Sequence, residues 1–223
     1  MAETNSDRRV SITRLILVPG LVTLGVTILR LVGELQHWPK TLFNPAPGGG
    51  GGLVGIVWLA PIFGVYFAWK LSEEGQGPSS NGKAILATAI ALLVMAAGSF
   101  LALSSQFRSV GKLVAGVLLI GVAAWIPLQG WPALGKTLLA YGYLARVPVL
   151  IVMFFALRGN WGTHYDGLPP NFPEMGFWSK YFEAAFLPQM VFWVTFTVIT
   201  GSLLGSIVAA VLHWGKTAPQ TAS

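Results

Sequence analysis

Arg146 is the residue with the clearest chemical significance, because it lies near the middle of an apolar stretch. Between Lys136 and Arg158, residues 137–157 are otherwise almost wholly apolar, and the stretch is close to the ~20 residues that a helix needs to cross a bilayer. A guanidinium at that depth costs between roughly 2.5 and 17 kcal/mol, so it is retained where protein groups, water or a ligand compensate its charge. We therefore expect a functional site at Arg146 inside a membrane protein.

A second group of ionisable residues follows helical spacing nearer the N-terminus. Arg30 and Glu34 are four residues apart and His37 is three further on, so one continuous helix would place all three on a single stripe. The stripe predicts either a surface that faces the protein interior or a salt bridge that reaches the membrane interface. Replacing Glu34 should cost much more stability if the stripe faces the protein interior than if it forms an interfacial salt bridge.

The longest hydrophilic segment, 158–180, contains His164 and Asp166 among prolines and aromatic residues. It is too polar and too often interrupted by proline to span a membrane. His and Asp could exchange protons with a substrate, although such a pair in a proline-rich loop is also typical of a structural role. Glu183 and Gln189 follow at the start of the next apolar stretch.

These groups suggest one arrangement. If the Arg30 stripe and the 158–180 loop lie on the same side of the membrane, an outward-facing polar cavity that ends near Arg146 would hydrate them all. The predicted partner of Arg146 is Glu34 or Glu183, with neutral hydrogen-bonding alternatives at Tyr141, Tyr143 and Gln189. A buried ion pair that only fixes helix packing is the competing interpretation.

The composition determines which elements position these residues. With 54% hydrophobic and only 10% charged residues, the chain cannot form an ordinary soluble surface. We predict an all-α, polytopic integral membrane protein, a single transmembrane domain over residues 1–223. The apolar stretches predict a bundle of about six transmembrane helices, with an interfacial loop between helices five and six, at approximately 15–35, 53–71, 84–106, 113–128, 137–157 and 181–214.

Six spans would place both termini on one side, and Arg8, Arg9 and Arg14 ahead of the first helix favour the cytoplasm. The other loops discriminate poorly. The prediction is a multi-pass protein of the cell membrane with a cytoplasmic N-terminal segment at 1–13, an extracytoplasmic loop at 158–180 and a disordered tail at 215–223.

The sequence does not contain the residue patterns expected for cysteine chemistry, metal binding or nucleic-acid binding. The absence of Cys excludes disulfides and thiolate sites, and no pair of metal ligands has fixed helical spacing, so no metal site is predicted. Haem held by two His would require His37 with His164, since His213 lies at the far end of the last helix; the cofactor is left unknown. The formal charge of +6 is spread along the chain, which favours lipid head groups over nucleic acid.

Three functional hypotheses remain. The first is a small membrane protein that binds or transports an anionic or amphipathic small molecule, with Arg146 facing the anion. The second is a non-catalytic subunit or scaffold that binds another membrane protein or a second copy of itself, with Arg146 paired to an acid inside the protein. The third is an intramembrane enzyme acting on lipid, with His164, Asp166 and Glu34 as acid–base residues.

Overall fold

The computed structural model describes residues 11–49, 52–103, 109–170 and 172–214, and within them every regular element is helical. Five helices are long and apolar enough to cross a membrane. The protein is therefore an all-α polytopic membrane protein, as its composition predicted. The predicted tail at 215–223 and most of the N-terminal segment at 1–13 lie outside the described residues.

The helices follow the apolar stretches, with shifts of a few residues at their ends. Two short 3₁₀ turns, Pro47–Gly49 and Ile56–Trp58, lie between the first and second helices. The main helices are α1 Ile12–Leu35, α2 Leu59–Glu73, α3 Asn81–Leu103, α4 Val110–Gly130, α5 Pro132–Gly159, α6 Phe177–Tyr181 and α7 Val194–Trp214. The loop predicted at 158–180 is consequently shorter, because its first residues extend α5 and its last residues form α6.

The second predicted helix begins later than expected. Its first residues are held as loop, because Leu53 N donates to the carbonyl of Thr41 and Val54 N donates to that of Leu42. Helix α2 keeps only 15 residues, about 22 Å at ~1.5 Å per residue, against a hydrocarbon thickness of ~30 Å. The count of six spans therefore stays a prediction.

The ends of α2 nevertheless lie at opposite ends of the bundle. Before α2, Gly55 lies against the Arg30 guanidinium; after it, the carbonyl of Gln76 accepts a 2.7 Å hydrogen bond from the Trp131 indole. Trp131 joins α4 to α5, and Arg30 lies near the C-terminal end of α1. We refer to these as the Glu34 end and the Trp131 end of the bundle.

Small residues permit the closest helix contacts. A Cβ on Gly98 of α3 would lie 2.8 Å from the carbonyl oxygen of Gly116 in α4, and one on Gly205 of α7 would lie 2.8 Å from Ala68 in α2. Backbones approach in this way where small residues face each other. Small residues of α3 and α7 thus lie at helix contacts.

Between α6 and α7 the chain remains helical, but its turns are wider than those of an α-helix. Two π-helical segments, Phe182–Phe186 and Pro188–Trp193, carry it into α7. The helix accommodates Pro188 at the start of the second π-helical segment. A π-helical turn rotates the side chains that follow it and is frequent at functional sites, and it matters here because this segment packs against α5.

Candidate functional site

The carboxylate of Glu34 joins α1 to the loop between α5 and α6. It accepts hydrogen bonds from Arg30 Nε at 2.8 Å, from His164 Nδ1 at 2.6 Å and from the backbone N–H of His164 at 2.9 Å. Glu34 is 5% exposed and Arg30 is 6% exposed. The stripe on α1 therefore faces the protein interior, and the pair is not an exposed interfacial salt bridge.

The glycine-rich loop between α1 and α2 positions the Arg30 side chain. Arg30 Nη2 donates to the carbonyl of Asn44 at 3.2 Å, and a Cβ on Gly55 would lie 2.8 Å from Nη1. A side chain at Gly55 would thus displace the guanidinium. At least one glycine of this loop serves close approach to a buried charge.

His37 does not extend the stripe. Helix α1 ends at Leu35, and His37 has a left-handed backbone with φ of 56°. Its side chain is exposed, so it lies apart from Arg30 and Glu34. The spacing rule failed because it assumed a helix that continues for two more residues.

Asp166 holds the loop together instead of pairing with His164. Its carboxylate accepts from Gly162 N at 2.9 Å, from Thr163 N at 2.8 Å and from Thr163 Oγ1 at 2.6 Å. Gly162 has a φ of +70°, which glycine adopts without strain. This turn presents His164 to Glu34, and Asp166 therefore positions the loop.

The surroundings of His164 favour a neutral imidazole in one tautomer. Burial lowers the pKa of His164 below its usual range, although the Glu34 carboxylate acts in the opposite direction. Because Nδ1 lies against a carboxylate, Nδ1 carries the hydrogen and Nε2 carries the lone pair. No described residue forms a hydrogen bond with Nε2, so this atom can accept a proton.

Tyr165 lies between this cluster and the middle of the bundle. Its ring centroid is 3.9 Å from that of His164, and its hydroxyl donates to the carbonyl of Thr27 at 3.2 Å. Burial raises the pKa of Tyr165 far above its usual value, so the phenol keeps its proton. Deeper in the bundle, the Tyr141 hydroxyl lies 2.7 Å from Thr23 Oγ1, which itself donates to the carbonyl of Pro19.

Arg146 is buried among neutral partners. It is 4% exposed; Nη1 donates to Gln189 Oε1 at 3.3 Å, and the guanidinium lies 4.9 Å from the centre of the Trp193 ring. Its Nε has no hydrogen-bond partner among the described residues. Neither predicted acid forms an ion pair with it: Glu34 is bound to Arg30 and His164, and Glu183 lies part-exposed on the first π-helical segment.

Together these residues form what we call the polar column, a set of buried or half-buried polar side chains running from the Glu34 end to the middle of the bundle. Thr23 and Thr27 were missed from the sequence, although they precede Arg30 and Glu34 at helical spacing and could have been found by it. Tyr165 was also missed. The column consists of Thr23, Thr27, Arg30, Glu34, Tyr141, Arg146, His164, Tyr165 and Gln189.

Tyr143 lies outside the column. It lines a groove of about 250 Å³ on the side of the bundle, between α4, α5 and the region where the second π-helical segment meets α7. Tyr143 is 45% exposed, and its hydroxyl has no hydrogen-bond partner among the described residues. The structure therefore separates Tyr143 from Glu34 and His164, with which the sequence grouped it.

The described residues contain no group of three or more His, Asp or Glu placed to hold a metal ion. His213 could not be compared, because its side chain lies outside the described part of the chain. Comparison with protein-family models, with curated proteins and with solved structures found no match.

Proposed function

We propose that this multi-pass membrane protein binds or transports an anionic or amphipathic small molecule, with Arg146 as the residue that faces the anion. The observation that carries the proposal is the state of the Arg146 side chain. It is buried in a membrane-spanning helix, and within the part of the chain that the structure describes its hydrogen-bond partner is the neutral Gln189 and its Nε is unpartnered. A charge so placed is costly unless a ligand or water compensates it.

The surroundings of Arg146 support an anion more than an internal ion pair. Within the described residues, Glu34 is committed to Arg30 and His164. The scaffold hypothesis relied on an internal carboxylate partner for Arg146, and the neighbours found are an amide and an aromatic ring. A carboxylate or phosphate would supply the missing acceptor, because two of its oxygens match the planar guanidinium fork.

We place the protein in the cell membrane with both termini in the cytoplasm, which puts the Glu34 end outside. An anion could then approach Arg146 from the Glu34 end, along the polar column, or from the side through the bilayer. The predicted outward cavity belongs to the first route. Variants at Arg146 test whether the anion binds there, and they do not distinguish between the two routes.

The test compares Arg146→Met with the parent in a non-ionic detergent, with thermal stability measured against inorganic phosphate, decanoate and the uncharged decanol. Met keeps a similar length and removes a buried charge, so the variant should melt at least as high as the parent. The parent should be stabilised by at least one of the two anions and not by decanol, and the variant by neither anion.

Arg158→Met is the matched control. Arg158 lies in the last turn of the same helix, exposed, with its guanidinium 5.4 Å from the Phe177 ring centre. This variant should keep the anion response of the parent. A parent that responds to neither anion, together with a destabilised Arg146→Met, would show that Arg146 serves packing and would overturn the proposal.

A specific observation favours the enzyme as second candidate. The Glu34 carboxylate orients His164 so that Nε2 can accept a proton, the arrangement of a general base held by an acid. In this hypothesis His164 is the base, Glu34 orients it and Asp166 shapes the loop. Release of fatty acid from phosphatidylcholine bilayers by the parent, lost in a folded His164→Gln, would support it; equal release by both would exclude His164 as the base.

A further inference from the structure

We propose that the groove beside Arg146 holds the hydrocarbon chain of a long-chain carboxylate taken from the bilayer, with the carboxylate at Arg146. This inference rests on the proposed function and names the ligand class. The groove has a volume of about 250 Å³. Its lining comes from three helical regions and is mostly apolar, and it includes Gly121, Trp125, Leu139, Tyr143, Met190 and Val191.

The groove opens toward lipid. Trp125 is 63% exposed and Tyr143 is 45% exposed, and both lie in helices long and apolar enough to cross a membrane. Hydrocarbon, and not water, therefore surrounds its mouth. A ligand that fits here arrives laterally and brings an apolar part.

Arg146 lies next to the residues that line the groove, although it is not itself one of them. Leu139, Tyr143 and Arg146 are spaced four and then three residues apart on α5, so they share one stripe of that helix. On the opposite wall, Met190 and Val191 directly follow Gln189, which binds Arg146. An apolar chain along this stripe would thus have its polar end beside the guanidinium.

Two donors at or next to the groove lack acceptors among the described residues. Within the described part of the chain, Arg146 Nε is buried without a hydrogen-bond partner, and Tyr143, a lining residue of the groove, has no hydrogen bond from its hydroxyl. In hydrocarbon, each unsatisfied polar group costs free energy. A carboxylate offers two oxygens with several lone pairs, enough for both donors.

The size of the groove selects a single chain. Its volume lies just below the ~300 Å³ of the smallest usual small-molecule sites, so it takes up part of one chain, whose remainder lies along the open mouth, and not the two chains of a phospholipid. The adjacent cation selects an acid over an uncharged lipid. A single-chain carboxylate meets both conditions.

The experiment places the protein in phosphatidylcholine nanodiscs with spin-labelled stearic acid or its methyl ester and measures the immobilised fraction of the probe. The ester has the same chain without the charge. The parent should retain the acid more strongly than the ester. Arg146→Met should lower retention of the acid by roughly tenfold to a hundredfold, the range expected for lost charge-assisted hydrogen bonds.

A second pair of variants tests the groove itself. A Cβ on Gly121 meets nothing within 4 Å, so Gly121→Leu should fold and fill the groove. Gly25 on α1 is likewise exposed and meets nothing within 4 Å, which makes Gly25→Leu the matched control outside the groove. Gly121→Leu should reduce retention of the acid at least several-fold, and Gly25→Leu should not.

The outcomes separate this inference from the proposed function. Retention of the acid that depends on Arg146 but is equal in the two Leu variants would overturn the groove and leave the anion site standing. Stabilisation of the parent by phosphate alone, with no retention of stearic acid, would do the same. Equal retention of acid and ester in every variant would overturn the role of Arg146 in both.

Discussion

Replacing Glu34 with Gln removes a buried negative charge with little change of shape, and the expected loss of stability follows from its contacts. The carboxylate accepts from Arg30 Nε and from two nitrogens of His164. Gln offers one acceptor oxygen, and its amide nitrogen would face a donor. Breaking a buried ion pair costs about 3–5 kcal/mol, and hydrogen bonds to charged groups contribute about 1.5–3 kcal/mol each. We expect Glu34→Gln to lower the free energy of unfolding by about 3–5 kcal/mol.

The chain supplies a matched control in Glu73. It forms a 3.0 Å salt bridge with Lys70, also on one helix, but the two side chains are 47% and 38% exposed. Glu73→Gln should cost no more than about 1 kcal/mol, as exposed pairs do. Reversible unfolding in mixed micelles with increasing dodecyl sulfate measures both variants. Equal costs for the two would refute the argument that Glu34 is a buried junction.

Three further outcomes are expected. Burial lowers the pKa of folded His164, while the unfolded value is ~6.5, so the contribution of His164 to stability is complete above that pH and is lost as the pH falls. Between about pH 7.5 and pH 5.5 the melting temperature of the parent should therefore fall by more than that of His164→Gln. Equal falls would contradict this argument. Cysteines at Thr41 and Glu174 should react with an impermeant reagent from outside the cell and one at Ser79 only from inside, whereas labelling of Thr41 and Ser79 from one face would exclude α2 as a span. Asp166→Asn should weaken the turn around residues 162–166 and increase protease cleavage there, and unchanged cleavage would argue against its capping role.

Features carried by a continuous stretch could be predicted from the sequence. The apolar lengths predicted the all-α membrane bundle, and a lone charge within one of them identified Arg146. Gln189 was among its neutral candidate partners because it opens the last apolar stretch. These inferences need only helical periodicity and the cost of charge in lipid.

Features that depend on distant contacts could not be predicted. Glu34 meets His164 across 130 residues of sequence, and no local spacing indicates that pairing. His37 was misplaced because α1 ends at Leu35, which the helical pattern did not signal. The late start of α2 depends on backbone hydrogen bonds to residues 41 and 42. The pattern of apolar residues does not indicate these hydrogen bonds.

The contact between Glu34 and His164 also imposes an order on biogenesis. At about 5–20 residues per second, a ribosome needs roughly 7–26 s to add the residues that separate them. During that interval α1 is already made, while its acid lacks the loop that will bind it. Arg30, four residues away on the same helix, is present from the start and neutralises Glu34 locally. Helix α1 can therefore enter the bilayer with its acid already neutralised, and His164, made later, then joins the loop after α5 to this earlier helix.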